Sequence, residues 1–215
     1  PPPDRRDDAD WALPATAETA RTGAWEPGPG DAIYDAMQDA LGTLPIVAEN
    51  LGVITPEVEG LRERHGMPGM HVLQFEVCDP GFTLDAVAEN SVCYTGTHDN
   101  DTTVGWFHGS PDDIRSRKEI ERTQESVLAL TGGSTKTVHI DLVRAAFETP
   151  ARLAVAPIQD FLGLGSEARM NIPGTSGGNW RWRVLGTEIS DDLCDNIGSL
   201  VKDSNRGLSQ HGNNE

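Results

Sequence analysis

Glu49 closes the apolar run Leu44-Pro-Ile-Val-Ala48, and Asp99 sits just beyond a second run, Ser91-Val-Cys-Tyr-Thr95, within Tyr94-Thr-Gly-Thr-His-Asp-Asn-Asp-Thr-Thr103. A third polar loop, Gly165-Ser-Glu-Ala-Arg-Met-Asn171, follows the run Arg152-Leu-Ala-Val-Ala156. Acids at the ends of buried strands suit proton transfer or the stabilisation of a developing charge, because burial and neighbouring groups push their pKa values apart. The same acids also suit helix caps, or ion pairs with Arg152 or Arg169, and spacing alone leaves both readings open.

The elements that must position these groups are legible as periodicities. Four apolar runs, 44–48, 71–75, 91–95 and 152–156, read as short strands buried on both faces. Between them lie helical patterns. Asp31 reads as an N-cap for a helix with Ile33, Met37, Ala40 and Leu41 on one face, stopped by Gly42. Thr55-Pro-Glu-Val58 combines a cap, a proline in the first turn and an early acid, which predicts a helix to about His65. Residues 112–130 and a stretch opening at 142–147 are also helical in pattern. Strands alternating with helices, with long connections on one side only, predict an α/β fold. Specifically, they predict the carboxyl-terminal half of a (β/α)8 TIM barrel, about strands 5 to 8.

The expected organisation is an irregular segment over 1–10, a partial barrel over 11–187 that opens with a long surface loop (11–30), a C-terminal helix over 188–201 and a disordered polar tail over 202–215. The chain begins at Pro1 without a methionine, which predicts a fragment or a processed product.

Composition excludes several classes of function. Acidic residues outnumber basic ones 34 to 17, for a formal charge of −17, and such a field repels phosphates, so neither nucleic acid nor an anionic membrane is expected as a partner. An acidic surface with lysine only at 118, 136 and 202 is also the expected look of a protein adapted to high salt. Cys78, Cys93 and Cys194 form no CxxC pair and the six histidines no HExxH, so no metal or cofactor is expected and the thiols read as buried. With no spanning apolar run and no signal-peptide core, a cytoplasmic protein is expected.

The letters themselves carry a resemblance. Ile46-Val-Ala-Glu-Asn-Leu-Gly-Val-Ile-Thr-Pro-Glu-Val58, Gly69-Met-His-Val-Leu-Gln-Phe75, Tyr94 to Thr103, Leu162-Gly-Leu-Gly-Ser-Glu-Ala-Arg-Met-Asn-Ile-Pro-Gly174 and Gly178-Asn-Trp-Arg-Trp-Arg183 together resemble the 4-alpha-glucanotransferases, also called amylomaltases or disproportionating enzymes. The resemblance implies retaining transfer of alpha-1,4-glucan segments between maltooligosaccharides, with an alpha-glucan as the substrate partner. It implies Glu49 as the acid/base and Asp99 as the carboxylate that binds hydroxyls of the sugar at the cleavage point. It implies His98 as a neighbouring hydroxyl ligand and Asn171 as a polar pocket contact.

Asn100 and Asp101 are expected to hold the loop by turn hydrogen bonds, Glu167 and Arg169 to form an ion pair, and Trp180 and Trp182 to pack on the barrel; Trp106 is ambiguous between sugar contact and packing. The family's nucleophile segment, Arg-Ile-Asp-His-Phe-Arg-Gly, has no match at the start of this chain, where Pro-Pro-Pro-Asp-Arg-Arg-Asp-Asp stands. Asn50 replaces the family's usual Asp, and residues 78–90 lack its Pro-His-Asn-Tyr. An inactive carbohydrate-binding remnant is therefore the alternative expectation, and a missing amino-terminal half an expected partner.

Overall fold

The computed structural model describes residues 9–19, 23–52, 54–110 and 113–207. The chain divides into two compact units, Pro1–Met70 and His71–Glu215.

In the first unit, β1 (Ala9–Ala12) pairs antiparallel with β2 (Ala24–Pro27), Trp11 facing Trp25 in the register. A hairpin thus stands where an irregular segment and a long loop were expected, because four-residue strands are too short to show an alternation in sequence. Residues 1–8 lie outside the described residues. Helix α1 (Asp31–Leu41) starts after Gly30, whose φ of 51° favours glycine, so Asp31 is its first residue and not its cap. The Asp31 carboxylate instead accepts from Arg64, at 3.1 and 3.0 Å, and lies 2.7 Å from His65 Nε2.

The expected strand over 44–48 does not form. Leu44, Ile46 and Ala48 are half-buried while Pro45, Val47 and Glu49 are exposed, so the segment is one-sided. Pro45 has no N–H to give, and among the described residues the backbone bond that ties the segment to another part of the chain runs from Ala48 N–H to the Pro68 carbonyl, 2.8 Å. Helix α2 (Pro56–Arg64) forms as its signals require. Thr55 Oγ1 accepts from Val58 N–H, Glu57 and Glu59 lie in the first turn, and Arg62 and Arg64 in the last, which matches the helix dipole at both ends.

The unit boundary falls inside β3 (Gly69–Val72). It is followed by one helical turn, α3 (Leu73–Glu76), closed by Val77 N–H to the Leu73 carbonyl, which cuts short the strand expected to reach residue 75. With β4 (Ser91–Tyr94) and β5 (Leu153–Val155) it forms a three-stranded sheet in the order β3-β4-β5, with β4 and β5 parallel. Helix α4 (Thr103–His108) is capped by Thr102 Oγ1, and α5 (Arg117–Thr131) opens on a reciprocal capping box between Ser116 and Glu119.

Helix α6 (Val138–Glu148) is the centre of the core. Its Leu142, Val143 and Ala146 are fully buried against Leu73, Cys93, Phe107 and Val127. Burial of a residue such as Leu142 or Phe107 stabilises the fold by roughly 1.5–3 kcal/mol. Of the cysteines only Cys93 is buried; Cys78 is part-buried and Cys194 exposed.

Helix α7 (Ile158–Leu162) follows β5 directly, and α8 (Asp191–Asp203) is capped by Ser190 Oγ. Residues 202–207 are not a disordered tail. Lys202 and Asp203 complete α8, and the Arg206 guanidinium donates to the carbonyls of Phe147, Ala151 and Thr149 at 2.5, 2.9 and 2.7 Å. Three carbonyls at and just past the end of α6 thereby gain a charged donor. Residues 208–215 lie outside the described residues. Among the described residues, no helix is long and apolar enough to cross a membrane.

Candidate active site

The turn after β4 delivers His98 and Asp99, and its shape is fixed by its own side chains. Asn100 Oδ1 accepts from both the N–H and the hydroxyl of Thr97, each at 2.9 Å. Asp101 Oδ1 accepts from Thr102 N–H at 2.8 Å, and its Oδ2 from Ser166 Oγ at 2.6 Å. Both residues hold the loop, and Asp101 also reaches across to the loop after α7. That turn hydrogen bonds lock such a segment follows from the short polar side chains of Asn and Asp.

Below the turn lies a buried carboxylate that sequence reasoning missed. Asp160, on α7 and only 1% exposed, accepts from Thr95 Oγ1 at 2.6 Å, Thr103 N–H at 2.8 Å and Thr103 Oγ1 at 2.9 Å. Thr95 and Thr103 are the two ends of the loop that carries Asp99, so one side chain pins both. Burial pushes the Asp160 carboxyl above the usual range, while these three donors and His139 pull the other way. A readable signal existed: an acid inside the otherwise uncharged run Pro157-Ile-Gln-Asp-Phe-Leu162. Gln74 adds a further tie, donating from Nε2 to the Asp101 carbonyl at 2.9 Å.

Around Asp99 the groups converge. Asn171 Nδ2 donates to Asp99 Oδ1 at 2.6 Å, and Arg169 Nη2 donates to the Asp99 carbonyl at 2.8 Å. His98 Nε2 stands 3.5 Å from Asp99 Oδ1. The side chains of His98 and Asp99 are 55% and 50% exposed, so a solute can reach both. Asp99, His98 and Asn171 therefore form one cluster, built by the loops after β4 and α7.

Glu49 lies in the first unit, in the extended segment before α2, and is exposed. Its neighbour Asn50 turns inward, accepting from Met70 N–H at 2.7 Å and donating to Glu59 Oε2 at 3.4 Å. That gives Asn50 a bonding role of its own where the family pattern has an acid. Gly69 packs so closely on Asn50 that an added Cβ would stand 2.9 Å from its amide.

Two expectations for this region are corrected. Glu167 and Arg169 form no ion pair, because each finds a nearer backbone partner. Glu167 Oε1 accepts from Gly165 N–H at 2.9 Å, and Arg169 spends its donors on the carbonyls of Asn171 and Asp99. Trp180 does not pack as one face of a strand. It lies in a turn, 51% exposed, with its ring centroid 5.0 Å from that of His98. Trp106, by contrast, packs against the core with the Arg115 guanidinium over its ring. Among the described residues no group of three or more His, Cys, Asp or Glu is placed to hold a metal ion.

Comparison with known proteins bears on what this cluster serves. The family model described as 4-alpha-glucanotransferase matches residues 8–188. The chain is similar to the 4-alpha-glucanotransferase of Synechocystis sp., 43% identical over 198 residues, covering 89% of this chain and 37% of the relative. It is equally similar to that of Thermus thermophilus, 43% identical over 191 residues, covering 86% and 37%. Among solved structures it resembles amylomaltase from Streptococcus agalactiae in complex with acarbose, with a TM-score of 0.82 and 29% identity over 94% of this chain and 40% of that one. Amylomaltase from Corynebacterium glutamicum, at a TM-score of 0.70 and 16% identity over 90% of this chain and 34% of that one, shares the fold. The chain thus spans a little over a third of the length of these curated relatives, and over that span its sequence and fold agree on one parentage: it belongs to the 4-alpha-glucanotransferase family.

Proposed function

We propose that this chain supplies the acid/base and sugar-clamping part of a site that transfers alpha-1,4-glucan segments between maltooligosaccharides with retention, on the carboxyl-terminal half of a TIM barrel. The observation that carries the reading is the Asp99 cluster: a half-exposed carboxylate fixed through one oxygen by Asn171. Binding Oδ1 to Asn171 leaves Oδ2 for substrate. A carboxylate held this way accepts sugar hydroxyls and favours the electron-poor, flattened ring of an oxocarbenium-like transition state. His98 lines the same edge and offers a ring nitrogen to a neighbouring hydroxyl.

In the proposed reaction Glu49, protonated, gives its proton to the departing glycosidic oxygen as the anomeric carbon passes from that oxygen to the carboxylate nucleophile of the remaining part of the barrel. Ionised, it then removes the proton of the incoming 4-hydroxyl as that oxygen bonds the anomeric carbon and displaces the carboxylate, so that one group serves both halves of the transfer. No residue of this chain is assigned the nucleophile. The remaining part of the barrel, as it stands in a longer relative, is the proposed partner that supplies it. The acarbose bound to the S. agalactiae amylomaltase supports an oligosaccharide as the ligand class.

The test fuses the upstream part of the Synechocystis relative to this chain and measures glucose release from maltotriose together with longer products. Disproportionation is expected, and Glu49→Gln and Asp99→Asn are each expected to lower kcat by about 10²–10⁴. A fusion that folds, binds maltoheptaose and transfers nothing would instead identify a carbohydrate-binding remnant. Undiminished transfer by Glu49→Gln would remove the acid/base assignment.

A further inference from the structure

Trp180 has a backbone φ of 59°, one of two non-glycine residues with positive φ among the described residues. That conformation is unfavourable for any side chain with a Cβ, and a bulky one keeps it only when the surroundings over-determine it. Here they do. Trp180 N–H donates to the Met170 carbonyl at 2.6 Å, and Arg183 Nη1 donates to the carbonyls of Trp180 and Trp182 at 2.9 and 2.7 Å. Asn179 braces the preceding turn, accepting from Ile172 N–H at 3.0 Å and donating to the Thr175 carbonyl at 3.2 Å.

All this bonding holds an indole that the fold leaves 51% exposed, so the conformation is not maintained to fill the core. What it achieves is placement. The ring leans on His98 at 5.0 Å and 41°, one residue from the carboxylate that Asn171 grips. Pyranose rings present a face of C–H groups, and an aromatic face offers a large apolar contact at little conformational cost.

We propose that Trp180 is a substrate-positioning platform: its exposed indole receives a glucosyl ring of an alpha-1,4-glucan, while its ring contact with His98 sets the orientation of that imidazole. The inference rests on the functional reading above and adds to it a contact residue that is strained for the purpose. A residue kept for stability and one kept for binding respond oppositely to relief of that strain. Glycine adopts φ near 59° freely, so Trp180→Gly relaxes the backbone while deleting the platform.

The experiment titrates the whole chain with maltoheptaose, following intrinsic fluorescence and heat of binding, beside thermal unfolding of each variant. Maltoheptaose is expected to change the emission of the unaltered chain. Trp180→Gly is expected to bind about tenfold more weakly with an unlowered unfolding midpoint, and Trp180→Phe, which keeps an aromatic face, to recover most of the affinity. Trp180→Gly with unchanged affinity and a lowered midpoint overturns the proposal and makes the residue a packing element. Asp99→Asn separates the two levels. If it weakens binding while Trp180→Gly does not, the platform falls and the functional reading stands; if the unaltered chain binds no maltoheptaose, the platform falls, and the functional reading is then decided by transfer in the fusion.

Discussion

A single short hydrogen bond decides how Asp99 presents itself. Without the Asn171 amide at 2.6 Å, the carboxylate would turn freely about its own bonds and meet a sugar in many orientations. Asn171→Ala is therefore expected to lower kcat about 10- to 100-fold with KM little changed, measured on the same fusion, since what is lost is orientation. An equal rise in KM at constant kcat would instead make Asn171 an ordinary binding contact. At this scale the residue types were readable and their partners were not. Glu167 and Arg169 have opposite charges two positions apart, yet each prefers a backbone group that the chain folds against it. Thiol behaviour follows the same logic, because burial pushes the Cys93 thiol up to about 11 and keeps it protonated and inert at neutral pH, whereas Cys194 lies exposed.

Elements were legible in proportion to their length and caps. Helix α2 was visible in four letters, because Thr55 and Pro56 act locally. The strand expected over 44–48 failed because an apolar run specifies extension but not a partner for its N–H groups, and a strand needs both. Asp160 escaped notice for a similar reason, since its three donors come from 57 and 65 residues away.

The approach to α5 carries a pH dependence. Asp113 accepts from its neighbour Arg115 at 2.7 Å, and these bonds, with backbone and charge effects of the same sign outweighing burial, hold its carboxyl below the usual range. A depressed acid adds stability above its unfolded pKa and loses it as pH falls through the folded value. Asp113→Asn should thus lose less stability than the unaltered chain between about pH 5 and about pH 3. Urea midpoints across that range would measure it, and parallel curves would show that the pair contributes nothing. Arg115 also donates to the Trp106 carbonyl, so the clamp joins α4 to the start of α5.

At the scale of the whole chain, charge and length dominate. A formal charge of −17 on 215 residues makes self-repulsion a standing cost of compactness. Raising KCl from about 0.05 M to about 1 M shrinks the Debye length from over 10 Å to about 3 Å and should raise the thermal midpoint. A midpoint that is flat or falls would leave the acidic surface without a role in salt adaptation. The α/β class was legible because alternation of strand and helix is a long-range pattern carried by many residues, and the compact unit 71–215 realises most of it. The hairpin at 9–27 was not, because its pairing shows only in three dimensions.

Arg206 gives the far end of the described chain a consequence for anyone who shortens it. Its three bonds to backbone carbonyls join residues some fifty-five to sixty positions apart, so this segment behaves as a clasp and not as trailing thread. Truncations that keep Arg206 leave the clasp shut; cutting that residue away opens it, and the damage arrives in a single step at the end of α6, in the middle of the core, rather than at the terminus where the cut was made.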